Sequence, residues 1–156
     1  MQLDAPLDAT DRAILRELQV NGRITNQELA QRVHLSASAC LRRVKRLEDS
    51  GVIAGYVALV DARKVAQPGT SYTIVNLERL TLPAIEAFER AVSDIPAILD
   101  CFYVAGTNDY LIRFTYNDAA DLERFHRDVL MRLPGVLRSN SMLVLRTVKK
   151  TTALEV

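Results

Sequence analysis

Residues 24–51 read ITNQELAQRVHLSASACLRRVKRLEDSG, and this stretch decides the fold. Thr25 and Glu28 are spaced as a capping box: the Thr hydroxyl accepts from the N–H three residues on, and the Glu carboxylate reaches back. Leu29, Ala30 and Val33 then make one apolar face. The period breaks between His34 and Ser36, and Ser36 is a good N-cap for a second helix. On that helix Cys40, Val44 and Leu47 recur at helical spacing, while Arg42, Arg43, Lys45 and Arg46 fall largely on the other faces. Two short amphipathic helices around a tight turn, the second one cationic, form the pattern of a helix-turn-helix, whose second helix enters the DNA major groove. A helical hairpin with a solvated basic face shares much of this pattern. Two features favour DNA. Every charged residue from Arg32 to Arg46 is positive, which leaves no i,i+4 ion-pair ladder. The helix also opens on Ser36-Ala37-Ser38-Ala39, side chains small enough to let its start approach a groove.

Upstream, Asp8 is placed to cap a helix from about Ala9, with Asp11 in the first turn, where a carboxylate suits the helix dipole. Leu7, Ile14, Leu15 and Leu18 supply its core face. Asn21-Gly22-Arg23 ends it, with glycine suited to a left-handed cap, and Gly51 ends the third helix in the same way. Residues 1–52 therefore read as a three-helix domain that buries little apolar area and is marginal alone.

Downstream, Val52 to Val60 is β-branched and aromatic and reads as an extended connecting strand. Asp61 to Gly69 reads as a linker, so residues 53–69 connect two domains. Residues 70–156 then alternate: strand Ser71 to Leu80, helix Pro83 to Ile95, strand Ile98 to Ala105, turn Gly106 to Asp109, strand Tyr110 to Tyr116, helix Ala119 to Leu133 capped by Asp118, and a last strand within Val136 to Val148. That βαββαβ order is ferredoxin-like, an antiparallel sheet with both helices on one face. The fold class is α+β: an N-terminal helix-turn-helix (winged-helix-like) domain joined to a C-terminal ferredoxin-like domain. Val75, Leu77, Cys101, Tyr103, Ile112, Phe114, Val144 and Leu145 offer more apolar side chains than one sheet face can take, which predicts a dimer.

Composition narrows the function. The chain has 156 residues, 49% of them hydrophobic, which excludes disorder, and a formal net charge of +1. DNA contact must therefore come from a local patch and not from overall charge. No apolar run approaches the ~20 residues of a membrane span, and no leader-like start is read. Cys40 and Cys101 stand far apart among apolar neighbours and read as buried thiols in a reducing cytoplasm. No Ser/His/Asp grouping, metal-ligand cluster or phosphate-cradling glycine loop is legible, so neither enzyme chemistry nor a cofactor is expected. His34 falls in the helix-turn-helix turn, and His126, beside Arg124 and Arg127, reads as a surface residue.

Several ordered segments carry a resemblance over nearly the whole chain. They are Leu7-Asp8 with Asp11 and Ile14-Leu15; Gly22-Arg23; Leu41-Arg42-Arg43-Val44 with Arg46-Leu47-Glu48 and Gly51-Val52-Ile53; and Gly106 with Asp109-Tyr110. Together they resemble the Lrp/AsnC family, the feast/famine transcription regulators. The resemblance implies a DNA-binding N-terminal domain, a C-terminal domain that binds small effectors, usually amino acids, and homodimers that often assemble further to octamers. It places the recognition helix at Ser36 to Ser50. On it Ser38, Arg42 and Arg46 lie near one outward stripe, and Arg43 adds a further cation; Arg suits both bidentate guanine reading and a grip on phosphate. Thr25, Asn26 and Gln27, at a helix N-terminus, are phosphate-contact candidates. The effector position falls on Gly106, Thr107, Asn108, Asp109 and Tyr110, where Asp109 suits an amino-acid ammonium, with Thr152 as a further polar contributor. Read without the resemblance, the same turn is a hairpin turn with Asp chosen for turn chemistry. Two alternatives share the architecture: a sirohaem-decarboxylase-like enzyme, and a ligand-independent architectural DNA-binding protein.

Overall fold

The computed structural model describes residues 6–156. The chain divides into two compact units: one takes the chain up to Leu59 together with Lys149–Val156, the other Val60–Val148.

The first unit is helical: α1 (Ala9–Val20), α2 (Asn26–Arg32) and α3 (Ala37–Asp49). Both α1 and α2 start on complete capping boxes, Asp8 with Asp11 and Thr25 with Glu28. Ser36 Oγ caps α3 by accepting from the Ala39 N–H at 3.2 Å. Ile14, Leu15, Leu29, Ala30, Cys40 and Leu47 form the buried core, with Leu7, Leu18, Val33 and Val44 packed against it. The turn between α2 and α3 is tight because His34 takes a left-handed conformation, φ 54. Gly51 is left-handed as expected, φ +73. Gly22 is not. The chain leaves α1 extended, with Asn21 at φ −144. What Gly22 supplies is room: a Cβ there would meet the Tyr56 ring at 3.3 Å.

Residues 52–60 were expected as a strand and form none. Their composition suits a strand, but among the described residues no neighbouring strand offers them a ladder. Val57, Leu59 and Val60 remain exposed. The C-terminal tail, which the sequence assigns to the second domain, belongs to this unit. The Gln19 amide pairs with the backbone of Leu154, donating to its carbonyl at 3.0 Å and accepting from its N–H at 2.6 Å. Val156 packs on the helical core.

The second unit holds β1 (Gly69–Leu77), α4 (Leu82–Ser93), β2 (Ile98–Tyr103), β3 (Tyr110–Tyr116), α5 (Ala119–Asp128) and β4 (Val136–Leu143). The sheet is antiparallel in the order β2-β3-β1-β4, the expected βαββαβ topology. The segment 61–69 contains a 3₁₀ turn at Ala62–Val65, capped by the Asp61 carboxylate on the Arg63 N–H. Helix α5 stops at Asp128 and not at Leu133, because the backbone turns at Val129 and a 3₁₀ turn, Leu130–Arg132, follows. The three-residue period of that turn aligns Leu130 with Leu133, and both are buried.

The strand period of two sorts the sheet's side chains. Val75, Leu77, Ile112 and Phe114 form the core with Phe88, Val92 and Phe125 of the helices, and Cys101 packs against it. Val75, Leu77, Cys101, Ile112 and Phe114, five of the eight side chains that the sequence counts as too many for one face, all lie on the helix-covered face. The opposite face carries a different set: Ile74 pairs with Leu111, Leu111 with Phe102, and Tyr72 with Met142. Phe102 is 52% exposed and Met142 47%. Val144 and Leu145 lie beyond the end of β4.

Candidate nucleic-acid interface and effector turn

At about 100° per residue, Ser38, Arg42 and Lys45 lie opposite Cys40 and Leu47 on α3. Arg43 and Arg46 lie between that outer stripe and the core face. The structure treats the two sets differently. Ser38, Arg42 and Lys45 are exposed, and neither cation has an ion-pair partner among the described residues. Arg43 is held by two carboxylates of the α1 start, Asp8 at 2.6 Å and Asp11 at 2.8 Å. Arg46 meets the other Asp11 oxygen at 2.5 Å. Asp11 is fully buried. The Asp8 carboxyl is lowered to about 2, first by the Asp11 N–H it accepts from, then by Arg43. Leu35, Ala39, Arg42, Arg43 and Arg46 line one shallow depression, so the structure brings these three arginines together.

The flanking candidates are partly occupied. The Thr25 hydroxyl accepts from the Glu28 N–H and donates to the Glu28 carboxylate. Asn26 Nδ2 donates to the Ala37 carbonyl at 2.9 Å, which ties the start of α2 to the start of α3. Its oxygen is buried and has no hydrogen-bond partner among the described residues. Gln27 is exposed. The Ser36 oxygen lies 3.3 Å from that of Ser38, in addition to its cap.

In the second unit the turn between β2 and β3 is latched to an irregularity in β1. The β1–β4 register shifts between Asn76 and Leu77. The Leu77 N–H, past the last β1–β3 pair of Val75 with Tyr110, donates to Asp109 Oδ2 at 2.8 Å, and Asn76 Nδ2 donates to the Thr107 carbonyl at 3.2 Å. Arg138 Nε donates to Asn76 Oδ1 at 3.1 Å. Asp109 thus orders the turn with one oxygen. Its other oxygen has no donor among the described residues. Asn108 Nδ2 donates to the Thr107 hydroxyl at 3.3 Å. Gly106 sits at φ +133 with open space where a Cβ would project, so conformation and not crowding requires glycine.

Tyr110 belongs to the core. Its ring packs on Phe88 at 4.4 Å, and its hydroxyl donates to Glu89 at 2.9 Å. Burial, and then the bond to Glu89, push its phenol up. Thr152 lies in the tail, where it lines an apolar groove of the helical unit with Leu18, Tyr56, Val57, Leu59 and Leu154, about 730 Å³ in volume. The structure gathers Gly106 to Asp109 in one turn and puts Thr152 in the other unit.

His126 is not a free surface residue. Its Nε2 lies 2.8 Å from Ser141 Oγ, which lies 2.6 Å from the buried Thr73 Oγ1, and its ring meets Phe114 edge-on. Burial lowers its pKa. A sequence signal existed: hydroxyls recur at alternate positions in two strands, Ser71 and Thr73 with Ser139 and Ser141. Such a polar row on a core-facing side calls for a polar partner.

The winged helix-turn-helix DNA-binding family matches residues 7–54, and the Lrp/AsnC ligand binding domain matches residues 70–154. A leucine-responsive regulatory protein of Rhizobium meliloti is 36% identical over 156 residues, covering 100% of both chains. Its Escherichia coli counterpart is 38% identical, covering 95% of this chain and 90% of that one. A transcriptional regulator from Neisseria meningitidis, solved as its L-Met complex, is 40% identical with a TM-score of 0.91, covering 96% of each chain. With both halves matched in order and the fold shared along nearly its whole length, the chain belongs to the Lrp/AsnC family of transcription regulators.

Proposed function

We propose that this protein is a non-enzymatic, cytoplasmic, sequence-specific DNA-binding regulator that acts as a homodimer or a larger ring of dimers and is modulated by an amino acid. The observation that carries the DNA reading is the exposed stripe of Ser38, Arg42 and Lys45 on α3, whose cations are unengaged among the described residues. Gln27, at the start of α2, is exposed as well. A two-fold dimer presents two such helices, so its operator is a pseudo-palindrome with half-sites about 10 bp apart or a multiple of that. Selection from a random duplex pool followed by mobility-shift titration tests this. Arg42→Ala is expected to cost roughly 1–3 kcal/mol and to relax specificity at one position. Unchanged selection by that variant would remove Arg42 from the reading face.

The effector is assigned to the turn at Gly106–Asp109. One Asp109 oxygen is fixed by the Leu77 N–H, which orients the other for an ammonium. Methionine and leucine head the candidates, because the Neisseria relative was solved with L-Met and other relatives are named leucine-responsive. A thermal-shift screen of the twenty amino acids tests this. A ligand at 100 times its Kd adds about 2.7 kcal/mol. No shift with any of them, alongside intact DNA binding, would favour an architectural DNA-binding protein.

A further inference from the structure

Asp11 is a fully buried carboxylate at the first turn of α1. Each of its oxygens accepts from a different arginine of α3: Oδ1 from Arg43 Nη1 at 2.8 Å, Oδ2 from Arg46 Nη2 at 2.5 Å. The Asp8 N–H also donates to Oδ2, and the Asp8 carboxylate takes Arg43 Nη1 a second time at 2.6 Å. Burying a charge costs stability unless it is paired, and well-packed apolar groups would hold two helices together as well or better. A buried carboxylate here needs a reason beyond helix packing.

The exposure of the two arginines supplies one. Their side chains stay 31% and 51% exposed. Each guanidinium has five N–H donors, and in each the acidic groups engage a single nitrogen. The heads are therefore anchored but not used up. An anchored arginine has already lost the rotamer freedom that binding would otherwise remove, so it meets a phosphate at lower entropic cost. Arg42 lacks any such anchor among the described residues and is free to adjust to a base edge.

We propose that Asp11 is a positioning residue of the DNA interface, holding Arg43 and Arg46 as a preset pair of phosphate contacts and leaving Arg42 as the specificity-determining arginine of α3. This rests on the DNA-binding reading above.

The test uses the full chain, a duplex selected from a random pool by the wild type, and a scrambled duplex of the same composition. Affinities are measured across a salt series. Arg43→Ala and Arg46→Ala are expected to weaken both duplexes alike and each to flatten the salt slope by about one. Asp11→Asn is expected to weaken both about tenfold with their ratio kept. In an Arg46→Ala background it should cost distinctly less, the coupling that shared action through Arg46 requires. Arg42→Ala should instead collapse the ratio about tenfold or more. If Asp11→Asn unfolds, Asp8→Asn replaces it. Asn keeps the N-cap and removes only the charge on Arg43, so binding should weaken to both duplexes and the effect should vanish in Arg43→Ala. A folded Asp11→Asn or Asp8→Asn that binds both duplexes at wild-type affinity or tighter overturns the proposal, as does a collapsed ratio in either. A wild type that yields no selected duplex overturns the DNA-binding reading, and this inference with it.

Discussion

Asp8 shows how one side chain serves two structures. Its oxygens cap α1 through the Asp11 N–H and hold Arg43 of α3. Both interactions need the ionised form, which is why its carboxyl falls to about 2 from an ordinary value of 3.8. A carboxyl depressed on folding stabilises the fold above its unfolded value, and the gain is lost as pH falls from 3.8 towards 2. Circular dichroism melts across that range are expected to show a falling stability that Asp8→Asn, already uncharged, makes less steep, while Glu28, Asp121 and Asp128, also depressed by their hydrogen bonds, keep the remainder. His126 titrates with the opposite charge type and a similar outcome. Burial depresses its folded value, so the fold favours the neutral ring beside Ser141. Below the ordinary value of 6.5 the unfolded chain binds the proton first, and stability falls with pH until the folded value is passed. Melts at pH 7.5 and pH 5.5 should therefore differ more for the wild type than for His126→Gln.

Among the elements, the tail is the one whose place depends most on a few contacts. The Gln19 amide acts on Leu154 as a strand neighbour would, meeting both its N–H and its carbonyl, while Val156 packs on the helical core. Each hydrogen bond is worth about 0.5–1.5 kcal/mol net. Removing residues 152–156 is expected to destabilise the helical unit by about 1–3 kcal/mol, and Gln19→Ala by part of that, read as a lower melting temperature. Equal melting of truncated and full-length chains would show the contacts to be energetically idle. The β1 irregularity at Asn76/Leu77 has a comparable local logic. Beside it the Leu77 N–H lies past the last β1–β3 pair, Val75 with Tyr110, and the Asp109 carboxylate satisfies it and so ties the turn to β1.

At the scale of the whole molecule, the sheet face away from the helices keeps a row of apolar side chains partly or fully open. Phe102, Ile74, Leu111, Tyr72 and Met142 share it with the Asp100–Arg113 ion pair. A contiguous patch of this kind marks an interaction surface. The occupant that the surplus of apolar side chains predicts is a second copy of the chain. Sedimentation of the full chain is expected to give a dimer or a multiple of one, and Phe102→Asp with Met142→Asp is expected to shift it to monomer with the far-UV spectrum preserved. Association unchanged by both charges would move the interface elsewhere.

Local physics alone was enough for α1, α2 and α3. Their caps at Asp8, Thr25 and Ser36 and the apolar period of each helix depend only on residues three or four apart. The βαββαβ order was legible for the same reason: each element carries its own period and its own stop. The turn at Gly106–Asp109 was also legible, as were the arginines of α3. Contacts distant in sequence were not. Arg43 and Arg46 looked alike with Arg42 until α1 brought Asp8 and Asp11 against two of the three. The pairings of Asp109 with Leu77 and of His126 with Ser141 join different elements. Which apolar side chains stay uncovered turned on strand register, and one residue of slip moves a whole set from one face to the other. Sequence determined the helices and sheet strands that carry their own period and stop, and where the chemistry-bearing groups lie along them; the strand it suggested over residues 52–60 needed a neighbour and did not form. Tertiary structure decided which of those groups are engaged within the fold and which remain available, because pairing depends on distances that only the folded chain sets.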